Sequence, residues 1–235
     1  MAPTMSAQRN TPLQSTLLVL LAVLPVAAGA HGVSGEDAGF VASVRGVHLG
    51  PFAYLGAKHM VTGYDHLAFL AGVIFLLYRL RDVALYATLF AVGHSITLLG
   101  AVLAGWRADA HLVDAVIGLS VVYKAFENIG GFRSLGWNLD PRAAVLAFGL
   151  VHGLGLATKV QDLSPSPDGL AANLVAFNVG VELGQLAALS VMVLLFTLWR
   201  RTAGFQRAIL PANGLLMITG FLLFGYQLAG YFLAK

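Results

Sequence analysis

The pattern of apolar positions along the chain predicts most of its elements. From about residue 46 onward, long apolar runs follow one another, and short segments that carry Arg and Asp residues separate them. Apolar runs that approach or exceed roughly 20 residues are long enough to cross a bilayer as α-helices. The pattern predicts six spans, at about 63–79, 83–105, 112–128, 143–159, 170–198 and 209–232.

The segment before the first predicted span has a weaker pattern. Residues 46–62 form a moderately apolar run that a Gly-Pro pair and Gly63 bracket, which predicts an interfacial or half-inserted helix. Residues 31–45 are polar, and we expect them to form a short periplasmic segment. Residues 46–235 are therefore predicted to be a single transmembrane helical domain of the all-α, polytopic class.

The N-terminus has the features of a secretory signal peptide over residues 1–30. Arg9 precedes an apolar run that Pro25 interrupts, and an Ala-Gly-Ala cleavage site ends at Ala30. Cleavage would leave His31 as the first residue. An uncleaved anchor helix is the alternative, although the apolar run is short for a span.

Composition supports membrane insertion and excludes several functions. The chain is 58% hydrophobic and 11% charged, whereas soluble domains carry about 25% charged residues. It has no cysteine, which excludes disulfides, thiolate metal sites and cysteine nucleophiles. Its net charge of +3 is not arranged as a basic patch with interleaved aromatic residues, so nucleic acid is not an expected partner.

The positions of the arginines predict the orientation. Cytoplasmic loops carry an excess of Lys and Arg, and arginines concentrate in alternate loops of the predicted topology: Arg79, Arg81, Arg133, Arg142, Arg200, Arg201 and Arg207. The mature N-terminus is then periplasmic, as a signal peptide also requires. We expect a multi-pass protein of the bacterial inner membrane.

Polar residues within membrane helices are costly and are functional candidates by default. Six of them are candidate metal ligands: His59, Asp65, His66, His94, His152 and Glu182. His59 and His66 would lie about 10 Å apart along a straight helix, too far to share one ion. A break at Gly63 would bring them together, with Asp65 as a ligand or as the acceptor that orients His66.

A second group of polar residues is predicted to line the path of an ion. Its members are Ser95, Thr97, Glu127, Asn128, Asn178 and Gln185. Asn178, Glu182 and Gln185 recur at i, i+4 and i+7, which places them on one face of a helix. Purely structural roles are the alternative for four of them. Ser95 and Thr97 can bond to their own helix, and a solvated helix end explains Glu127 and Asn128.

Two stretches of the chain share a short motif. The stretches FAVGHSITLLG (90–100) and FGLVHGLGLAT (148–158) both contain Phe-x-x-x-His, which hints at an internal repeat of the kind found in transporters. Neutral imidazoles and carboxylates suit Ni, Co, Zn and Cu(II). The residues alone leave three functions open: a metal permease, an intramembrane zinc hydrolase, and a metal-binding accessory protein that transports nothing.

Five motifs in order resemble one family. DHLAFL, GHSITL, an EN pair, FGLVHGLG and FNVGVELGQL resemble the HupE/UreJ membrane proteins. The resemblance implies a nickel or cobalt permease, or an accessory of hydrogenase and urease maturation, and not an enzyme. It assigns metal passage to His59, Asp65 and His66. The chain departs from the better-characterised permeases at Gly149, where they have a histidine. Their closing glutamate is either replaced by Ala157 or has no counterpart, depending on the alignment.

The resemblance sets the expectations for substrate and partners. We expect a divalent transition metal, nickel or cobalt, to pass from outside to the cytoplasm, while zinc and copper also fit the ligand types. The expected partners are the lipid bilayer, the metal ion and metalloenzyme-maturation proteins. The sequence leaves the oligomeric state, the energy source and the choice of ion open.

Overall fold

The computed structural model describes residues 35–163 and 165–234, and all regular secondary structure in this part of the chain is helical. The predicted signal peptide at 1–30 and its cleavage before His31 lie outside the described residues. The helices are α1 (Gly35–Ser43), α2 (Leu49–Thr62), α3 (Tyr64–Ile74), α4 (Leu80–Ala104), α5 (Ala110–Asn128), α6 (Gly131–Ser134), α7 (Pro141–Asp162), α8 (Leu170–Arg200) and α9 (Phe205–Leu233).

Each of the six predicted spans corresponds to a helix. Four of these helices are long and apolar enough to cross a membrane: α4, α7, α8 and α9. The other two differ in length or polarity. Helix α3 is apolar but has only 11 residues, and α5 buries both Asp114 and Lys124. The chain is a helical, multi-pass membrane protein with four candidate spans among its described residues.

The N-terminal segment predicted to be polar contains a helix. Helix α1 spans nine residues of it, because Phe40 and Val41 supply an apolar face. Val41 is buried, and the ring centre of Phe40 lies 6.0 Å from that of Phe52 on α2. This segment therefore packs on the helical domain.

The predicted break at Gly63 is confirmed. Helix α2 ends at Thr62 and α3 begins at Tyr64, and Gly63 between them has extended dihedrals of φ −75° and ψ 102°. A Cβ at this position would lie 2.8 Å from Nδ1 of His66. Glycine thus interrupts the helix and leaves room for the imidazole that follows.

Two helix pairs pack with their backbones in contact through glycines. A Cβ at Gly149 on α7 would overlap the carbonyl oxygen of Phe90 on α4, and a Cβ at Gly153 would overlap the carbonyl oxygen of His94. Because the contacts advance in the same direction along both helices, α4 and α7 run parallel. Helices α2 and α8 also run parallel, and a Cβ at Gly180 would overlap the carbonyl oxygen of Ala53. Small residues permit this close approach of membrane helices.

The loops between the helices define two ends of the bundle. At the first, called the cavity end, α4 leads to α5 and α7 leads to α8. At the second, called the far end, α3 leads to α4 and α8 leads to α9. Here the guanidinium of Arg200 donates to the carbonyl oxygens of Ile74, Phe75 and Leu77, which terminates α3.

Candidate functional site

Four histidines from four helices meet inside the bundle. His66 on α3 is central: its ring centre lies 5.1 Å from that of His59 on α2 and 5.1 Å from that of His152 on α7. The ring of His94 on α4 lies 6.1 Å away. We call these four residues and Asp65 the histidine cluster. The break at Gly63 is what allows His59 and His66 to approach.

Hydrogen bonds at Nδ1 fix the protonation of two of the rings, those of His66 and His152. Oδ1 of Asp65 lies 2.9 Å from Nδ1 of His66, and the carbonyl oxygen of Phe148 lies 2.7 Å from Nδ1 of His152. A carboxylate and a carbonyl only accept, so Nδ1 carries the proton in both rings. The lone pair of a neutral imidazole is then on Nε2.

The Nε2 atoms of the cluster have no partner among the described residues. Those of His59, His66, His94 and His152 are all buried and make no hydrogen bond. Leaving a buried polar atom unsatisfied costs about 1–3 kcal/mol. A ligand that binds at these atoms would explain why four such costs are concentrated in one place.

The spacing of the rings suits a shared metal ion. A metal at 2.0–2.1 Å from an imidazole nitrogen lies about 3 Å from the ring centre, so two rings on one ion have centres about 5–6 Å apart. The distances from His66 fall in or close to this range. In the arrangement of the described residues, no three His, Asp or Glu groups are placed to hold an ion together. Ligation by three groups therefore requires these side chains to move.

A cavity of about 280 Å³ leads to the cluster. It lies among α1, α2, α3, α5, α7 and α8, and His59, His66 and His152 line it. It also reaches Leu163, in the loop at the cavity end. The cavity therefore extends from the cavity end to three rings of the cluster.

The charges around the cavity favour a cation. Three carboxylates and two ammonium groups line it: Asp37, Asp65, Asp114, Lys58 and Lys159. With neutral histidines, the formal sum is −1. Two ion pairs account for four of the five groups, Lys58 with Asp37 at 2.6 Å and Lys159 with Asp114 at 2.8 Å. The remaining carboxylate is that of Asp65, beside His66.

Asp114 is held by a network that the sequence analysis did not find. Besides Lys159, it accepts a hydrogen bond of 3.3 Å from Nε2 of Gln227 on α9. Oε1 of Gln227 lies 2.8 Å from Nδ1 of His111. One signal was available, since Asp114 is a carboxylate within a predicted span. The network ties α5, α7 and α9 together beside the cavity.

A family model described as HupE / UreJ protein matches residues 35–235. The chain belongs to the HupE/UreJ family. No curated protein and no solved structure matches it. The family match covers every described helix, including α1 and the whole histidine cluster of this HupE/UreJ protein.

Glu182 does not lie in the histidine cluster of the HupE/UreJ chain. It is exposed on α8 and does not line the cavity. The reason is the packing of α8: Gly180 and Gly184 face α2, and a residue two positions away on a helix is rotated by about 200°. Their contact turns Glu182 outward, beside the exposed side chains of Val179 and Leu183.

The six residues predicted to line the path do not line the described cavity. Several of them connect helices instead. Nδ2 of Asn178 donates to Oγ of Ser95 at 2.8 Å, and Nε2 of Gln185 donates to the carbonyl oxygen of Ala87 at 3.1 Å. Oγ1 of Thr97 donates to the carbonyl oxygen of Leu150 at 2.6 Å. These bonds hold α8 and α7 against α4.

The remaining two, Glu127 and Asn128, lie in a second polar group at the far end. Nζ of Lys124 lies 3.0 Å from Oε2 of Glu127, and Lys124 is 5% exposed. Nδ2 of Asn128 donates to the carbonyl oxygen of Gly72 and to Oδ1 of Asn213. We call Lys124, Glu127, Asn128 and Asn213 the far polar cluster.

Proposed function

We propose that this protein is an inner-membrane permease that takes a divalent transition-metal ion from the periplasm to the cytoplasm. The observation that carries the proposal is the set of four buried Nε2 atoms that have no partner among the described residues, in a cluster whose His59, His66 and His152 line the cavity. Asp65 supplies the negative charge beside them. An ion that enters the cavity would exchange its water for these nitrogens.

The proposed topology has six spans, with α3 and α5 completing the four long helices. Helix α3 is enclosed by its neighbours, which makes a short helix acceptable at membrane depth. In α5, Asp114 and Lys124 are buried and paired with Lys159 and Glu127, which makes their charges acceptable there. The arginine-bearing segments then face the cytoplasm at the far end. The cavity end is periplasmic, so the cavity receives ions from outside.

The proposed substrate is nickel or cobalt. Neutral imidazole with one carboxylate suits these ions, and the absence of thiolates disfavours the softest ones. Passage needs binding that is strong enough for entry and weak enough for release. Ligands that close on the ion only after their side chains move suit such transient binding.

The test compares two histidine variants in cells that express the chain. His66→Ala removes the centre of the cluster and should abolish uptake of radioactive nickel and cobalt above background. His48→Ala is the matched control, because the ring of His48 is exposed and contacts the nearby carbonyl oxygen of Arg45, while the backbone N–H that donates to Asn173 is kept in the variant. The control should accumulate as much metal as the parent protein.

Elemental analysis of the purified parent protein after growth in mixed trace metals completes the test. Nickel or cobalt in the parent and neither in His66→Ala supports the proposal. Equal accumulation by His66→Ala and the parent, at equal expression, would refute it.

Two other functions would give different results. An intramembrane zinc hydrolase would hold zinc tightly and stoichiometrically and would move no metal in sealed vesicles. An accessory protein of metalloenzyme maturation would bind the ion, show no flux and copurify with a partner. Uptake into vesicles that contain only the purified chain separates the permease from both.

A further inference from the structure

Three helices carry a phenylalanine one turn away from their cluster histidine. The pairs are His66 and Phe69 on α3, Phe90 and His94 on α4, and Phe148 and His152 on α7. Helix α3 runs toward the far end, whereas α4 and α7 run away from it. All three phenylalanines therefore lie on the far-end side of the histidines. We call them the aromatic layer.

The aromatic layer is closely packed. Phe69 and Phe90 are 0% and 1% exposed, and their ring centres lie 5.4 Å apart. The ring of Phe148 lies 5.7 Å from that of Phe69, and the ring of His152 lies 5.0 Å from that of Phe90. The cavity is lined by cluster histidines but by none of these three phenylalanines, so it ends at the histidines.

Polar groups resume beyond the aromatic layer. The ring of Tyr123 contacts that of Phe148 at 5.2 Å. Tyr123 adjoins Lys124 of the far polar cluster, and Nζ of Lys124 lies 5.9 Å from the ring centre of Tyr86. From the cavity end to the far end, the interior is thus charged, imidazole-lined, aromatic and again charged.

We infer that Phe69, Phe90 and Phe148 are the inner gate of the proposed permease, and that the described structure is open to the cavity end and closed to the far end. This inference rests on the proposed function. Apolar constrictions block ions by excluding water, and three packed rings offer a metal ion no ligand in place of that water. Passage requires the rings to separate.

The packing identifies which ring moves. Phe90 and Phe148 stand on α4 and α7, whose backbones are in contact at Gly149 and Gly153. Phe69 stands on the 11-residue α3, which begins at the break at Gly63. The gate opens by displacement of the Phe69 side chain while the α4–α7 pair stays fixed, since hydrogen bonds from Asn128 to Gly72 and from Arg200 to Ile74 hold the far end of α3.

The absence of cysteine allows a direct test by thiol labelling. In whole cells, a membrane-impermeant thiol reagent added outside should label Leu156→Cys, because Leu156 lines the cavity. The same reagent should leave Tyr123→Cys unlabelled. Adding Phe69→Ala to Tyr123→Cys should raise its labelling from background to the rate of Leu156→Cys. Adding Phe90→Ala should have the same effect.

Phe205→Ala is the matched control, because Phe205 is also 1% exposed but packs against Phe75, outside the aromatic layer. Tyr123→Cys should stay unlabelled with Phe205→Ala, and also with Phe69→Leu, which keeps apolar bulk. Labelling of Tyr123→Cys alone would overturn the inference. Absence of labelling with both alanine variants, each folded by size-exclusion chromatography, would do so too.

Labelling does not depend on metal transport, so the two proposals fail separately. If the parent takes up no nickel or cobalt, the proposed function is wrong whatever the labelling shows. If the parent takes up metal and the aromatic layer does not control labelling, only the gate is wrong.

Discussion

The histidine cluster and the far polar cluster both lie between packed helices and are buried or half-buried, but their atoms are partnered differently. In the far polar cluster, Nδ2 of Asn128 donates to the carbonyl oxygen of Gly72 at 2.9 Å and to Asn213 at 3.0 Å, and Lys124 pairs with Glu127. In the histidine cluster, hydrogen bonds fix the Nδ1 side of two rings, while four Nε2 atoms have no partner among the described residues.

This difference separates a structural group from a binding group. A polar group that satisfies itself joins helices and leaves nothing to offer a ligand. A group that fixes two of its rings and leaves four Nε2 atoms without a partner among the described residues is prepared to bind a ligand. Substitutions at Asp65, Asn128 and Glu182 test this distinction.

The largest expected effect is at Asp65. Asp65→Asn keeps the shape of the side chain but removes the charge that orients His66, and the loss of such a partner typically weakens metal affinity about 10- to 100-fold. Titration calorimetry of the purified variant with nickel and cobalt measures the change. Asp162→Asn is the control, because Asp162 is an exposed partner of Arg107. Unchanged affinity in Asp65→Asn would remove the carboxylate from the site.

A smaller effect, of another kind, is expected at Asn128. Asn128→Ala leaves the carbonyl oxygen of Gly72 and the side chain of Asn213 without their donor, which should lower the free energy of unfolding by about 1–3 kcal/mol. Denaturation of the detergent-solubilised protein measures this change. The metal content should equal that of the parent. If Asn128→Ala instead loses metal as Asp65→Asn does, the two clusters act as one path.

The smallest effect is expected at Glu182. Glu182→Gln lies on the outward face of α8 and should change nickel and cobalt uptake by less than about twofold, in line with exposed substitutions elsewhere. Uptake at matched expression, measured beside Asp65→Asn, checks this. A loss of uptake as large as that in Asp65→Asn would return Glu182 to the ion path and would require α8 to rotate.

Hydropathy and glycine positions predicted much of the fold. The helices lie at the predicted places because apolar runs and breakers are local signals, and the break at Gly63 follows from one residue. The convergence of His59 and His66 followed from that break. The Phe-x-x-x-His motif also marked the two helices, α4 and α7, that pack in parallel.

The face that each helix presents was harder to predict. The polar spacing of Asn178, Glu182 and Gln185 gave one stripe, but the contact of Gly180 and Gly184 with α2 decides its orientation and leaves Glu182 outside. The ion pair of Asp114 and Lys159 is not predictable from a local pattern, because its partners are 45 positions apart in the chain. Such pairing depends on tertiary contacts that no local pattern contains.

Packing also explains the departure at Gly149 from the permeases that the sequence resembles. A Cβ there would overlap the carbonyl oxygen of Phe90, so any side chain at this position would push α4 and α7 apart. In this chain the position serves helix contact. His152, one turn along, retains the imidazole.

The parallel register of α4 and α7 gives the experimenter a duplicated position. His94 and His152 follow equivalent phenylalanines on two helices that touch, yet of these two only His152 lines the described cavity. Substitution by alanine removes an imidazole at either position. At His152 this imidazole lines the cavity, and at His94 it does not. The ratio of the two effects on uptake therefore measures what access to the cavity contributes, with the chemistry held constant.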